Sequence, residues 1–598
     1  MKRRDLLRGI AFSPFAVSFL SIGKEKNKLL PNSSDEQDTN HLVTPDMFGA
    51  KPDGVFNNKE AIEKALQYAS LKGVSCVFLQ GNYYSDDINI NIPVQIIIRS
   101  GSYLNFQLSI IGEIFCSENN LKINQGWKSF SVGRYSFPNK STKVQKGDLV
   151  GFSLDSDHGG SAQFGNENGI DVLKVIDANE STFEVKDGIR FPYEFPIISK
   201  LKNVVSLKDD LHKGSYLIKG DFSSEISPGD VIRIENMDGT DGVAGSKYYF
   251  EYVKVKSVNS EHINLISRTV YSYTNPWIIK SKFLNRVELV GQGRIKKLTL
   301  RYIDDLQISS LFINRLIISN CHNVNVHDLN LEGLSEPSTL NITYCFGKNI
   351  FQNLRVSNSE SSSDNATLKV MSSPQTILSN IVISDSNSDS KKQSNYSLFI
   401  DAFYTPYSCW NDNIILHNVI CERPKSNFKR GIWFYGMRNS VIESVLGADV
   451  FLQGSLDSYF TNFNISEFNL EIKDLVRCNV NSKCTNALIK GGVDNIFKLE
   501  IAKFKSNNSE VKSYNCIFTA GTVNPETGDN YIHGGNNYLN FKNAYPENKN
   551  NLFSIDIEYQ NDLVIEPVSA LFFNIKESIN IGRDVSGFYI KNNLEKVK

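Results

Sequence analysis

The chain has 598 residues, enough for a large core and more than one structural unit. Its 64 Lys and Arg balance its 65 Asp and Glu, so no basic field favours nucleic acid as a partner. No run of about 20 apolar residues predicts a membrane span, and the nine cysteines form no C-x-x-C pair. No phosphate loop or metal-ligand spacing is present either, so we expect no cofactor and no metal.

Residues 1–23 have the layout of an export signal, because basic residues precede the mildly apolar stretch 9–23. The pair Arg3-Arg4, followed by Leu6-Leu7, resembles a twin-arginine signal, which exports folded proteins to the periplasm or beyond. The alternatives are the chance basic N-terminus of a virion tail protein and an uncleaved anchor. Residues 24–43 predict a flexible linker.

Residues 44–90 carry a recognisable succession of motifs: Phe48-Gly49-Ala50, Asp53-Gly54, an apolar-striped segment at 60–69 and Gly81-Asn82-Tyr83. It resembles the opening of the pectate-lyase-like superfamily, which includes phage tailspikes and many polysaccharide-degrading enzymes. The resemblance implies an all-β, right-handed parallel β-helix whose open end is covered by a capping helix. We expect the cap and first coils over residues 44–146. The helix stripe that would plug the core is Ala61, Ile62, Ala65, Leu66 and Ala69.

Residues 147–290 contain an internal duplication. Gly147-Asp148 recurs as Gly229-Asp230, 82 positions later, and Lys174 recurs as Lys254, 80 positions later, together with two further landmarks at an offset of 80. A nearly constant offset indicates two copies of a small β unit. The polar loops 155–168 and 236–247 predict solvated surface loops or, alternatively, loops that overhang a ligand groove.

A short phrase recurs between residues 310 and 479 and predicts the main β-helix over residues 291–505. In each copy a small polar residue precedes two apolar residues at spacing two, which favours stacked coils of a solenoid. The polar position predicts a ladder of side chains that hydrogen-bond between adjacent coils. It is occupied by Ser310, Asp328, Asn353, Asn380, Asn418, Ser444, Asn462 and Asn479.

A second strand in each coil can be aligned on its inward apolar pairs. Because strand side chains alternate, the residue between each pair points outward, and stacking places Phe399, Trp433 and Phe451 in an aromatic track. We expect the track to bind a glycan chain, with Lys369, Tyr435, Gln453 and Arg430 as further contacts. Cover by loops or by a neighbouring subunit is the alternative. The aligned pairs are Leu340/Ile342, Leu368/Val370, Leu398/Ile400, Ile432/Phe434, Val450/Leu452 and Leu470/Ile472.

Glycosidases need two carboxyl groups flanking the scissile bond. Asp401 and Asp449 flank the track and are the predicted catalytic pair, with Glu443 as a third candidate and Glu422 and Glu471 in reserve. If the reaction is β-elimination on a uronic acid, the candidate base is Lys369, Tyr435 or Arg430. We interpret Asp304-Asp305 as turn residues.

The long polar loops 357–366, 384–396, 403–413 and 422–430 are expected to build one wall of the groove. After residue 505 the repeat fades, and residues 506–598 predict a β unit that covers the last coil. In tailspike-like relatives this region holds a trimer together, so the resemblance implies a homotrimer.

The leading hypothesis is therefore a depolymerase, either a glycosidase or a lyase, that acts on a bacterial capsule, O-antigen or exopolysaccharide. One alternative is a twin-arginine-exported periplasmic protein of a surface-polysaccharide pathway. Another is a glycan-binding spike without chemistry, because the fold alone does not decide between enzyme and binder.

Overall fold

The described part of the chain forms a parallel β-helix. This computed structural model describes residues 42–113, 117–122, 129–130, 133–139, 143–154, 171–189, 193–194, 196–202, 204–222, 224–236, 240–333, 338–358, 366–385, 396–402, 407, 409–422, 431–501, 514–530, 533–543, 553–567, 579–586, 589–590 and 595–596. The predicted export signal, most of the linker, the loop 155–168 and Arg430 lie outside these residues.

Each coil of the β-helix contributes to three faces. Ile350, Ile377 and Ile415 stack in register on the first face, and Val356, Ile383 and Cys421 stack on the second. Leu340, Leu368 and Leu398 stack on the third. The pairing is parallel throughout these stacks, which confirms the predicted fold class.

The strands of the β-helix run almost the whole length of the described chain. In chain order they are Cys76–Phe78, Gly81–Tyr84, Ile88–Ile90, Gln95–Ile98, Ser102–Ile111, Leu284–Gly291, Arg294–Arg301, Ile303–Ser309, Phe312–Ser319, His322–His327, Asn330–Gly333, Leu340–Thr343, Asn349–Asn358, Ala366–Met371, Thr376–Asp385, Tyr396–Asp401, Ile415–Glu422, Ile432–Tyr435, Val441–Leu446, Val450–Gln453, Tyr459–Lys473, Asn479–Lys490, Ile496–Ile501, Tyr514–Thr519, Tyr538–Asn543, Phe553–Ile557, Val564–Pro567, Ile579–Ile581, Tyr589–Ile590 and Glu595–Lys596. Short parallel pairs join Asn411–Asp412 to Met437–Arg438 and Gly534–Gly535 to Gln560–Asn561.

The coils continue past residue 505, where the sequence repeat fades. Ile496–Ile501 pairs in parallel with Tyr538–Asn543, which pairs in turn with Val564–Pro567. The stack ends at Tyr589–Ile590, which pairs antiparallel with Glu595–Lys596. An antiparallel partner occupies backbone groups that the last parallel strand would otherwise leave open.

The N-terminal end of the core is closed by the helix Lys59–Lys72, as the sequence predicts. All five residues of the predicted stripe are buried in the core, beside Phe78 and Ile96 of the first coils. Asn58 immediately precedes the helix, and its side-chain amide donates to the backbone carbonyls of Lys51 and Tyr84, which ties the start of the helix to the first coil. It ends at Gly73, whose φ of 65° is left-handed. Short 3₁₀ helices lie at Pro45–Phe48 and Val243–Gly245.

The predicted polar ladder is present along the turn between the first and second faces. The Asn353 amide donates to Asp328 at 2.9 Å, Asn380 donates to Asn353 at 3.1 Å, and Asn418 donates to Asn380 at 3.0 Å. These residues, with Ser310, Ser444 and Asn462, all have left-handed φ values between 54° and 60°. Asn and Asp tolerate that conformation because their short polar side chains bond locally.

Asn479 is the exception to this ladder. It pairs with Tyr459 on the first face rather than occupying the turn. The register of the two strands shifts between Phe460 and Phe463, so the turns from the first face to the second are not aligned between these two coils. The prediction of a ladder position at Asn479 is therefore wrong.

The duplicated segment forms two antiparallel sheets with the same strand order. In the first, Lys200 Nζ lies 2.9 Å from the Asp148 carboxylate, and in the second Lys280 Nζ lies 2.6 Å from Asp230. The first sheet orders its strands as Ser117–Lys122, Pro196–Leu201, Leu149–Leu154, Asp171–Ala178, Thr182–Val185 and Ser136–Pro138, beside the pair Ser129–Phe130 and Tyr193–Glu194. The second orders them as Val204–Ser206, Trp277–Ser281, Val231–Glu235, Phe250–Val258, His262–Leu265 and Leu217–Lys219.

The second module packs on the β-helix through a shared core and buried polar contacts. Phe250 of the module touches Tyr344 and Phe346 of the coils, with ring centroids 5.2 and 5.4 Å away. The Lys254 ammonium binds the Asp304 carboxylate at 2.6 Å, and His322 Nδ1 lies 2.9 Å from its other oxygen. Asp305 has a left-handed φ of 62°, as expected for a turn residue. Its neighbour Asp304 instead contacts the second module through Lys254.

The eight cysteines of the described part are free and buried, including Cys345 and Cys421, as expected for small hydrophobic side chains. No helix within that part is long and apolar enough to cross a membrane.

The ladder predicts a graded response at Asn380. Asn380→Ala removes both ladder bonds and keeps a Cβ in the left-handed region without the polar side chain that offsets its steric cost, so we expect a loss of about 2–3 kcal/mol in the free energy of unfolding. Asn380→Gly loses the same bonds without the steric cost and is expected to lose only about 1 kcal/mol. Guanidinium unfolding of the three proteins measures both effects. Equal stability of the Ala and Gly variants would contradict the steric part.

Glu251 predicts a pH dependence of stability. Burial raises the pKa of its carboxyl to about 8, against the hydrogen bonds that it accepts from the Val270 N–H and the Tyr273 hydroxyl. Between about pH 4.5 and 8 the folded protein therefore keeps a proton that the unfolded chain releases, and this contribution to stability falls as the pH rises through that window. Its size is on the order of a few kcal/mol.

Glu251→Gln should flatten this part of the pH profile, because a neutral amide of the same shape needs no proton. Unfolding free energies of the wild type and the variant at pH 5, 7 and 9 measure the difference. A stability gap that stays constant across the three pH values would show that Glu251 does not titrate in the window.

Candidate functional site

The third face aligns as the sequence predicts. Leu398 pairs with Ile432, Ile432 with Val450, and Val450 with Leu470. All six inward pairs are buried in the continuous core of the β-helix. The outward residues Phe399, Trp433, Phe451 and Glu471 consequently occupy successive coils at one position along the strands.

Aromatic rings on this face touch one another. The Trp433 ring lies 5.3 Å from Phe399 and 5.0 Å from Phe451 between centroids, and both pairs are edge-to-face. Tyr435 lies parallel to Trp433 at 6.2 Å, and Tyr396 contacts Trp433 at 5.3 Å. Edge-to-face and stacked pairs fix the ring planes, so the track presents ordered apolar surface.

The track is less open than predicted. Phe399 retains 8% of its exposure and Lys369 retains 5%, while Trp433 and Phe451 remain partly exposed. Tyr396, Trp433 and the Lys369 ammonium, 5.9 Å from the ring centroid, cover Phe399. The accessible part therefore starts at Trp433 and extends toward the later coils.

A cleft of about 500 Å³ opens at this accessible part. Its floor is made by Trp433, Phe451 and the outward residues of the next coil, and its size suits a few sugar rings rather than a long chain. It is lined by Tyr396, Gly431, Ile432, Trp433, Asp449, Val450, Phe451, Gln453, Asn469, Glu471 and Lys473.

Two carboxylates, Asp449 and Glu471, line the cleft. Asp449 accepts a 2.7 Å hydrogen bond from the backbone N–H of Asn469, and Glu471 forms a 2.6 Å ion pair with Lys490. The register puts them one coil apart and two residues apart along the strand, so their Cα atoms are about 8 Å from each other. Both lie on the outward face next to Phe451, with Asp449 two residues before it in the chain and Glu471 paired with it on the next coil.

Asp401 does not join these carboxylates. It is fully buried, and the next residue, Ala402, belongs to the core shared with the second module. Relative to Asp449 it lies two coils away and four residues further along the strand, on the order of 16 Å between Cα atoms. The structure therefore does not bring the predicted pair Asp401 and Asp449 together.

Glu443 also lies elsewhere, on the first face beside the polar ladder. It accepts a hydrogen bond from the Asn462 amide at 3.1 Å and lies 3.4 Å from His417 Nδ1. The reserve candidate Glu422 ends a strand that continues from the same turn to the second face. Neither carboxylate reaches the cleft.

Of the predicted ligand contacts, Trp433, Phe451 and Gln453 line the cleft. Tyr435 lies at its margin with 9% exposure, because its ring packs against Gly454. Arg430 lies outside the described residues, and so do most residues of the four polar loops predicted to form a wall.

A wall that the sequence did not predict lies at the Tyr435 end. The Ala244 N–H of the second module donates to the Pro525 carbonyl at 2.8 Å, and Gly245 lies against Thr527. Val243 is buried beside Gly436, in the turn after Tyr435. Two loops that are far apart in the sequence thus meet next to Gly436, and none of the described residues of the loop 236–247 lines the cleft itself.

The site also contains residues outside the predicted set: Tyr396, Asn469 and Lys473. Lys473 falls in the outward series two positions after Glu471, so the alternation of the strand marks it. Tyr396 precedes an inward leucine at the start of its strand, and no periodic signal distinguishes it from a core residue.

No family model matches the sequence. The chain is similar to solved phage tailspikes at low identity. For the tailspike gp49 from Pseudomonas phage LKA1 the identity is 12%, the TM-score is 0.33, and the match covers 91% of this chain and 81% of that one. For the Pseudomonas phage phi297 tailspike gp61 the values are 10%, 0.37, 92% and 81%.

The gp54 tailspike of Acinetobacter baumannii bacteriophage AP22, solved in complex with A. baumannii capsular saccharide, matches at 10% identity with a TM-score of 0.30. That match covers 92% of this chain and 76% of the tailspike. Each of these solved structures is a phage tailspike.

Proposed function

We propose that the protein binds a bacterial surface polysaccharide in the cleft on the third face and cleaves it there. The observation that carries this proposal is the combination of ordered rings, Trp433 and Phe451, with two carboxylates, Asp449 and Glu471, in one cleft. Sugar rings present C–H faces to aromatic planes, while amides and carboxylates take their hydroxyl groups. A purely structural surface has no need of both kinds of group in one concavity.

Two carboxylates in one cleft favour a glycosidase. Inverting enzymes hold their two carboxyl groups ~6.5–9.5 Å apart to leave room for a water, and retaining enzymes hold them ~5–5.5 Å apart. Diagonal neighbours on adjacent coils are about 8 Å apart between Cα atoms, a position from which the two side chains can reach either separation. In this proposal Asp449 and Glu471 replace the pair Asp401 and Asp449 as the acid and base, and a lyase acting on uronic acid is the second possible chemistry.

The oligomer is also part of the proposal. On the first face, Ile415, Val441, Tyr459 and Ile496 form an apolar column that spans five coils, interrupted by Asn479. Their side chains remain 39% to 43% exposed, which is unusual for apolar residues in one row. We propose that copies of this chain associate along the apolar column as a homotrimer.

We also propose that the protein is exported from the cytoplasm. The pair Arg3-Arg4 and the apolar stretch that follows support delivery through a twin-arginine route, with a virion tail as the alternative setting. A fusion of residues 1–30 to a reporter protein tests it: arrival in the periplasm supports export, and loss of transport in Arg3→Lys with Arg4→Lys identifies the route.

Cleavage predicts that Asp449→Asn and Glu471→Gln each lower turnover by about 10²- to 10⁴-fold, because each removes one proton-transfer group. The assay measures new reducing ends and the absorbance of unsaturated uronates across a panel of capsular and O-antigen glycans. Glu443→Gln is the matched control, since it removes a carboxylate on another face, and it should keep full activity.

Two results would contradict parts of this prediction. Full activity of both Asp449→Asn and Glu471→Gln would remove them from the chemistry. Glycan binding without any product in the wild type would favour the binding spike over the enzyme.

If copies associate along the apolar column, the wild type should sediment as a trimer. A double variant that combines Ile415→Lys with Tyr459→Lys should shift the sedimenting species toward the monomer. Burying two ammonium groups without partners costs far more than the apolar contact contributes. Tyr216→Lys on the second module is the control, because that tyrosine is equally exposed but lies elsewhere. A monomeric wild type in sedimentation velocity experiments would refute the proposed trimer.

A further inference from the structure

Two outward side chains of the cleft, Gln453 and Lys473, have no side-chain hydrogen bond or ion pair within the described part of the chain. They occupy the same position on adjacent coils, because Gln453 pairs with Lys473 in register. Adjacent coils are about 4.8 Å apart, so one small group can reach both side chains. Both line the cleft and both are partly buried.

The other charged groups of the cleft already have partners. Glu471 is neutralised by Lys490 at 2.6 Å, and Asp449 accepts from the Asn469 backbone at 2.7 Å. By strand geometry, Asp449 lies about 14 Å from Lys473 between Cα atoms. The end of the cleft at Gln453 and Lys473 therefore carries an uncompensated positive charge, next to the rings of Trp433 and Tyr435.

A partly buried ammonium beside aromatic rings attracts an anion more strongly than one on an open surface, since less water screens it. The ammonium can only donate hydrogen bonds, and the neighbouring amide adds an NH₂ group that donates and an oxygen that accepts. A neutral sugar hydroxyl can accept from these donors, but it leaves the charge of the ammonium uncompensated. A planar carboxylate accepts from two donors at once and matches this pair better.

We propose that the cleft selects an acidic saccharide, whose uronate carboxylate is held by Lys473 Nζ and the Gln453 amide while its ring packs on Trp433. This inference rests on the proposed function and specifies the substrate class of the same site. It also places the acidic residue at the Lys473 end of the cleft, beside the carboxylates Asp449 and Glu471.

The test compares one glycan with its own neutral form. From a panel of capsular polysaccharides that includes uronate-containing and neutral members, the one that binds the wild type most tightly is carboxyl-reduced, a treatment that leaves any sulfate or phosphate in place. Isothermal titration of the Asp449→Asn variant, which avoids turnover, then measures the dissociation constants of both forms at low and high salt.

The expected result has three parts. Carboxyl reduction and Lys473→Met should each weaken binding by about ten- to a hundredfold, the range of one hydrogen bond to a charged group. In the Lys473→Met protein, reduction of the glycan should have little further effect. Lys473→Arg should retain most of the affinity, and Lys498→Met, which removes an exposed ammonium from the first face, should retain all of it.

Three outcomes overturn the inference. One is a neutral glycan as the tightest ligand. Another is equal affinity for the native and reduced forms, which would assign the anion site to sulfate or phosphate or to nothing. The last is a Lys473→Met protein that still distinguishes the two forms. In each case glycan binding itself, and with it the proposed function, would stand. Failure to bind any member of the panel would instead count against the proposed function and would remove this inference with it.

Discussion

The structure depends on the left-handed turn at which each coil passes from the first face to the second. A chain of L-residues enters that conformation at a steric cost, and Asn and Asp reduce the cost through local hydrogen bonds. Here Asp328, Asn353, Asn380 and Asn418 also bond to one another from coil to coil. Each turn thus supports the next, and the register of every strand that follows is set by the turn before it.

A fixed register decides which side chains can meet. On any face, two outward groups are separated by whole numbers of coils and by even numbers of residues along the strand. The contact between Trp433 and Phe451 is one coil step, and the relation of Asp449 to Glu471 is one coil step and two residues. Chemistry on such a scaffold selects from a small set of Cα distances, and the diagonal of about 8 Å relates Asp449 to Glu471.

Features that follow from strand alternation and helix periodicity could be predicted from the sequence. The capping stripe from Ala61 to Ala69, the inward pairs such as Leu398/Ile400 and the ladder at Asn353 are repetitive, and each is decided by residues close to it in the chain. The position of Glu443 on the first face, away from the cleft, was predictable too. Glu443 directly precedes the ladder residue Ser444, as His417 directly precedes Asn418, and the two residues pair on that face.

Burial by distant segments could not be predicted. Asp401 has the outward parity of a groove residue, and its burial beside a core that includes Val243 and Tyr407 depends on where the second module packs. The wall at the Tyr435 end combines Ala244 with Pro525, which are far apart in the sequence. The alternation along a strand determines which way a side chain points, whereas the segments that cover that side chain depend on the complete fold.

The packing of the second module depends on buried charges rather than on apolar area alone. Arg438 of the β-helix binds Asp241 of the module at 2.6 Å and Asp412 of its own turn at 3.1 Å, and Lys213 of the module also contacts Asp412. Ion pairs that are buried to this degree contribute little net stability, because desolvation offsets the attraction. Each pair nevertheless penalises any displacement that would leave a charge unpaired.

Asp241 lies only two residues before Val243, so the contact that fixes the module also fixes the loop beside the cleft. Any displacement of the module would move the wall with it and would separate Asp241 from Arg438. The buried pairs therefore add to the ring contacts of Phe250 in holding the Tyr435 end of the ligand site in place.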